Sequence, residues 1–186
     1  MQILPTKIPE LLIIEPDVFQ DQRGYFFESY NQEKYKEAGL NTSFVQDNIS
    51  SSVRGVIRGL HYQLAPYSQA KLIQVLKGKV LDVAVDLRQG SPTYGESYSI
   101  ELSEENRSQF FIPRGFAHGF SVLSDEVLFY YKCDNLYNRE AERGINFKDR
   151  RLNIDWLIPE KEAIVSGKDQ VLPSFEEAER NFVFKN

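Results

Sequence analysis

The segment KVLDVAVDLR, residues 79–88, limits the possible folds more than any other stretch of this 186-residue chain. Leu81, Val83, Val85 and Leu87 alternate with Asp82, Ala84, Asp86 and Arg88. A period of two is the signature of a strand with one face in the core. Gly78, just before it, reads as the turn of a hairpin with KLIQVLK, and RQGSPTYG ends the strand with Gly and Pro punctuation. SYSIELS, SQFFIPRGFAHGFSVLS and EVLFYYKCDNLY add further short strands at close spacing. Helical patterns are confined to NQEKYKEAG (Asn31 to Gly39) and PSFEEAERN near the C-terminus. Many short strands with little helix predict a mainly β chain, a sandwich or barrel. Residues 1–186 read as one domain, with no internal repeat, low-complexity run or linker.

Composition narrows the function classes. A formal charge of −5 argues against a nucleic-acid surface, which needs a basic stripe, but leaves room for a local cluster of Arg and Lys around a small anion. The single cysteine, Cys133, rules out a disulfide framework within the chain and fits a reducing cytoplasm. The opening MQILPTKIPELLIIEP lacks the basic start and long apolar core of a signal peptide. No window reaches the apolar length of a membrane span. The expectation is a soluble cytoplasmic protein without membrane or nucleic-acid partners.

The chain has two histidines, His61 in GVIRGLHYQ and His118 in IPRGFAHGF. Next to Arg58 in an apolar run, His61 is open to three readings: metal ligand, hydrogen-bonded structural histidine, or base aimed at a substrate. On its own, the structural reading is favoured by the burial habits of histidine. Pro113, Gly115 and His118 form Pro-x-Gly-x-x-His, which resembles the second motif of the cupins, small jelly-roll barrels. The first cupin motif has a Glu, then six residues and a Gly; here Lys71 is followed by six residues and Gly78. A metal site needs about three or four compatible ligands, and a lysine at the carboxylate position repels a cation. No metal is therefore expected, and Lys71 is a candidate fixed positive charge.

Seven motifs then carry a more specific resemblance: DQRGYFFE, FVQDNISSS, GVIRGLHYQ, QAKLIQVLKGKVLDVAVDLRQGSPTYG, IPRGFAHGFSVLS, FYYKCDNLYNREAERGI and SGKDQ. In order and spacing, from about Ile13 to Pro173, the chain resembles the dTDP-4-dehydrorhamnose 3,5-epimerase family. The resemblance implies a homodimeric cupin-type jelly roll without metal or organic cofactor. It also implies a substrate, a dTDP-linked 4-keto-6-deoxyhexose on the way to L-rhamnose, inverted at C3 and C5. Both carbons flank a ketone, so their hydrogens are acidic. Inversion needs a base on one face, a stabilised enolate, and a proton donor on the other face.

Carried over residue by residue, the resemblance makes His61 the base, with Asp169 of SGKDQ as its orienting partner. Tyr131 matches the opposing acid; its neighbour Tyr130 points to the other side of a strand, so the assignment depends on register. Lys71 matches the lysine beside the enolate oxygen. Arg23, Glu28, Gln46, Asn48, Arg58, His118, Glu142 and Lys168 match substrate contacts. Tyr137 is a candidate for stacking on thymine. Bland alternatives stand beside these: Arg23 in a surface turn, Asp82 and Asp86 as a pocket wall or a solvated face, Cys133 as a buried small side chain. Three rival functions share the motifs: epimerisation at C3 or C5 alone, a metal-dependent cupin enzyme, and a sugar-nucleotide binder without turnover.

Overall fold

The computed structural model describes residues 1–184. The chain begins with β1 (Gln2–Pro5), β2 (Leu12–Glu15), β3 (Phe19–Asp21) and β4 (Gly24–Phe26), followed by helix α1 (Gln32–Glu37). The central run is β5 (Gln46–Val53), β6 (Val56–Gln63), β7 (Lys71–Lys77) and β8 (Lys79–Asp86). After it come β9 (Ser97–Ser103), β10 (Gln109–Ile112), β11 (Phe116–Val122) and β12 (Glu126–Cys133). The last elements are β13 (Glu142–Gly144), β14 (Ile164–Val165) and the single-turn helix α2 (Gly167–Gln170). The first sheet has the order β1-β2-β10-β7-β12-β5 and the second β13-β6-β11-β8-β9, with β14 beside β6. Two mostly antiparallel sheets facing one another form the expected jelly-roll sandwich.

The core between the sheets takes Ile73 and Val75 from β7, Phe110 and Ile112 from β10, and Val127 and Phe129 from β12. Val80 and Ala84 of β8 and Phe116, Phe120 and Val122 of β11 meet them from the other side. The outer face of the second sheet is covered too. Leu81, Val83 and Val85 pack there against Phe147, Trp156, Phe175 and Phe182 of the C-terminal segments. On the outer face of the first sheet, Leu72 and Phe111 meet Tyr35 of α1.

Three expectations need correction. β8 is buried on both faces, because the C-terminal segments cover the face that a two-layer sandwich would leave wet. Gly78 does not close a hairpin: β7 and β8 belong to different sheets, and Gly78 is the corner between them. Its φ is 79°, and a Cβ there would meet the Glu126 carbonyl oxygen at 2.0 Å, so the corner admits only glycine. PSFEEAERN forms a turn at 175–177 and no helix, since Phe175 is drawn into the core and sequence charge pattern loses to burial. The other helix expectation holds: α1 is capped by Asn31, whose side chain accepts from the Lys34 N–H.

Candidate active site

A cavity of about 700 Å³ opens between the sheets. Its wall takes Arg58 and His61 from β6 and His118 and Phe120 from β11, both in the second sheet. Gln46 and Asn48 of β5, Lys71 of β7, and Phe129 and Tyr131 of β12 line it from the first. Tyr137, Glu142 and Asp169 complete the lining among the residues singled out in the sequence. Strand alternation decides the register left open above: Tyr131 faces the cavity, while the Tyr130 hydroxyl accepts from Lys132 on the opposite face.

His61 and His118 are direct neighbours across the β6–β11 ladder. The ladder is irregular beyond His118, where the Gly59 and Gly119 backbones lie so close that a Cβ on Gly59 would sit 2.5 Å from the Gly119 Cα. That approach brings two imidazoles into one wall, and each meets a carboxylate. His61 Nε2 lies 2.7 Å from Asp169 Oδ1. His118 Nε2 lies 3.0 and 3.1 Å from the two oxygens of Asp82.

Asp169 is held from behind. Ser166 caps α2, accepting the Asp169 backbone N–H at 3.1 Å, and the Gly59 N–H donates to Asp169 Oδ2 at 3.4 Å. Burial pushes the Asp169 carboxyl up, but the His61 hydrogen bond and charge, the Gly59 N–H and Ser166 more than offset it, so it ionises below the usual carboxylate value. An ionised Asp169 accepts the Nε2–H of His61 and leaves the lone pair on Nδ1, which has no hydrogen-bond partner among the described residues. The pair with Asp169 thus orients the His61 ring, whose side chain is partly exposed beside the cavity.

On the opposite sheet, burial raises the Tyr131 phenol above its ordinary value, with Cys133 and Glu142 adding to the rise and Arg58 opposing it. The hydroxyl therefore keeps its proton at neutral pH. Lys71 Nζ stands 5.9 Å from the centroid of the Tyr131 ring and 3.4 Å from His118 Nδ1. Burial lowers the Lys71 pKa, and Cys133, Asp82 and Glu142 act against that. Phe120 and Phe129, stacked at 4.1 Å, and the Phe129–Tyr131 pair at 6.0 Å make an aromatic wall that limits water.

The cations divide into two groups. Arg58 lines the cavity, held by Ser52 Oγ, which accepts its Nε–H at 3.1 Å. Lys168 sits at the rim, 2.6 Å from Glu142 Oε2, and the Tyr137 hydroxyl donates to the same oxygen at 2.8 Å. Burial pushes the Glu142 carboxyl up, but the Lys168 and Tyr137 hydrogen bonds and the Lys168 charge more than offset it, so Glu142 stays ionised to lower pH than a free glutamate. Arg23 and Glu28 are elsewhere. Arg23 is 89% exposed at the tip of the β3–β4 ribbon and pairs with Asp21. Glu28 pairs with Lys34 of α1. Neither lines the cavity of its own chain, so the expectation that they join the other substrate contacts is not met within one protomer. Ser52 is a part of the site that had no assigned role in the sequence; Asp82, read there as a pocket wall or a solvated face, is fully buried behind His118.

The chain matches a family model described as dTDP-4-dehydrorhamnose 3,5-epimerase over residues 5–177. It is 52% identical to the Shigella flexneri dTDP-4-dehydrorhamnose 3,5-epimerase over 170 residues, covering 91% of this chain and 93% of that protein. The crystal structure of the Elizabethkingia anophelis enzyme of the same name superposes with a TM-score of 0.91 at 55% identity, covering 95% and 97% of the two chains. A Legionella pneumophila dTDP-6-deoxy-D-glucose-3,5-epimerase, solved in complex with dTDP-4-keto-L-rhamnose, also gives 0.91, at 48% identity over 95% and 93%. A jelly roll with an imidazole–carboxylate pair facing a protonated phenol, matched over this span to these proteins, places the chain in the dTDP-4-dehydrorhamnose 3,5-epimerase family.

Proposed function

We propose that this protein inverts C3 and C5 of dTDP-4-dehydro-6-deoxy-D-glucose, giving dTDP-4-dehydro-L-rhamnose, without a metal. The observation that carries the reading is the placing of base and acid on opposite sheets of one cavity: His61 with Asp169 on one side, Tyr131 on the other. His61 Nδ1 takes the hydrogen α to the C4 ketone as a proton, and the C–H electrons pass into an enolate. Lys71 donates to the enolate oxygen, in a low-dielectric wall where a fixed charge is most effective. Tyr131 returns a proton to the opposite face, and the phenolate and imidazolium are reset by proton exchange with solvent. Arg58 supplies a guanidinium for the diphosphate, with Lys168, Glu142, Gln46 and Asn48 around the nucleotide and sugar and Tyr137 against thymine.

Metal independence rests on the donor set. Among the described residues no three His, Cys, Asp or Glu side chains gather at one point. Each histidine faces a carboxylate, and a lysine stands between the sheets where a third ligand would be needed. Arg23 and Glu28 fit the same reading if a second copy completes the site. The β3–β4 ribbon that carries Arg23 leaves Phe19, Tyr25 and Phe26 exposed, an apolar surface suited to a homodimer. The substrate and the lone buried cysteine fit a cytoplasmic setting. Among the described residues no helix is long and apolar enough to cross a membrane.

The deciding experiment is deuterium incorporation from D₂O into dTDP-4-keto-6-deoxyglucose, read carbon by carbon, with and without a chelator. Label at both C3 and C5 in either condition is expected. Label at one carbon identifies a mono-epimerase; loss of label with chelator identifies a metal enzyme; binding without label leaves a non-catalytic binder.

A further inference from the structure

Asp82 is fully buried on the inward face of β8, in a strand otherwise apolar on that side down to Ala84. A carboxylate in that position is costly unless it is hydrogen-bonded, and among the described residues His118 Nε2 is the group that reaches it. His118 is buried as well, and its other nitrogen, Nδ1, points at Lys71 Nζ. The three groups come from β8, β11 and β7 and so bridge both sheets. We propose that Asp82 is a positioning residue for the epimerisation: by accepting the Nε2–H of His118 it fixes the Nδ1 lone pair on Lys71 and thereby aims the ammonium at the enolate oxygen.

The geometry leaves little choice of tautomer. With the proton on Nδ1, His118 would present an N–H to an ammonium and a lone pair to a carboxylate, which is repulsive at both ends. Burial lowers the His118 pKa, Asp82 opposes that and Lys71 adds to it, so the ring is neutral at pH 7 and able to accept from Lys71. The arrangement parallels His61–Asp169, but its output is a fixed cation instead of a free lone pair. The charged and titratable groups around Lys71 are Asp82 on β8, His118 on β11, Tyr131 and Cys133 on β12 and Glu142 on β13. Asp82 is the buried anion among them that reaches Lys71 through a single intervening ring.

The inference rests on the role proposed for Lys71, so two variants are measured together. Lys71→Met is expected to abolish turnover; full activity there overturns the role of Lys71 itself and the inference with it. Asp82→Asn is expected to lower kcat roughly 10- to 100-fold, a typical loss when the outer partner of a reactive group is removed, with KM little changed. Removing the anion also makes Lys71 easier to deprotonate, so the alkaline limb of the kcat profile moves to lower pH. An inactive Lys71→Met beside an Asp82→Asn enzyme with wild-type kcat and an unmoved limb overturns the positioning role alone. Nitrogen-15 NMR of the unmodified protein tests the same point without a variant, which matters if Asp82→Asn fails to fold. With two histidines in the chain the rings are readily assigned. The Nε2–H tautomer at His118 is the expected result, and the Nδ1–H tautomer overturns the proposal.

Discussion

Tyr131 and Lys71 lie in the same wall, and burial moves their proton affinities in opposite practical directions. Tyr131 holds its proton to higher pH than a free phenol, while Lys71 loses its proton below the 10.5 of a free lysine. If both must be protonated, the alkaline limb of kcat reports Lys71, and its midpoint falls below 10.5. Tyr131→Phe is therefore expected to keep that limb in place in its residual activity, while losing C5 inversion more than first proton removal. A limb that vanishes with Tyr131 would count against this assignment. Asp169 works at the other end of the scale. Because its folded pKa lies below its unfolded value, it contributes stability above the unfolded pKa, and that is lost as pH falls through the folded one. It is ionised throughout the neutral range, and so accepts the His61 Nε2–H there. Asp169→Asn removes that charged acceptor and is expected to cut kcat by about 10²–10⁴, as loss of an orienting carboxylate does in other base-dependent enzymes; single-turnover proton exchange measures it.

At the scale of elements, β12 and the β7–β8 corner place the reactive groups. Phe129 is fully buried, stacks on Phe120 and lies between Tyr131 and His118. Phe129→Ala is expected to cost about 3–5 kcal/mol in urea unfolding and to admit water beside the enolate. Gly78→Ala forces a side chain against the Glu126 carbonyl at a φ that L-residues avoid, and is expected to cost about 1–3 kcal/mol. A loss below a few tenths would mean that the corner rearranges freely. The corner also shows where sequence reading stopped. Alternation identified β8 as a strand, and it placed Asp82 and Asp86 on one side. A glycine between two strands looks the same in a hairpin as in a crossing between sheets, because the difference lies in which distant strands accept the hydrogen bonds. The C-terminal PSFEEAERN carries a helical charge pattern, yet Phe175 and Phe182 anchor it across the second sheet, and tertiary burial overrode local preference.

For the whole molecule, the exposure of Arg23 is the informative feature. A residue matched to a substrate contact lies outside its own cavity, on a ribbon with three exposed aromatic side chains. If a second copy receives that ribbon, Arg23→Ala and His61→Asn subunits, each weak alone, should recover activity when mixed and allowed to exchange. One site of the mixed dimer then carries both intact groups. No recovery despite confirmed exchange would place Arg23 in its own chain's chemistry or in none. Sedimentation at assay concentration should give the mass of two chains.

Period-two strands broken by Gly and Pro carry the class of fold, and the motifs shared with the family carry the candidate reactive groups. The sequence also contained both histidines and the lysine that stands where the first cupin motif has a glutamate. Pairing was beyond it. His61 and Asp169 are joined by a hydrogen bond across 108 positions of chain, and Asp82 meets His118 across 36. Local propensity carries no information about such distances. Only the closing of two sheets on one cavity decided that Tyr131 and not Tyr130 faces that cavity, that a buried aspartate stands behind His118, and that Arg23 stands outside. Those outcomes depend on which faces are buried, and burial is a property of the assembled layers.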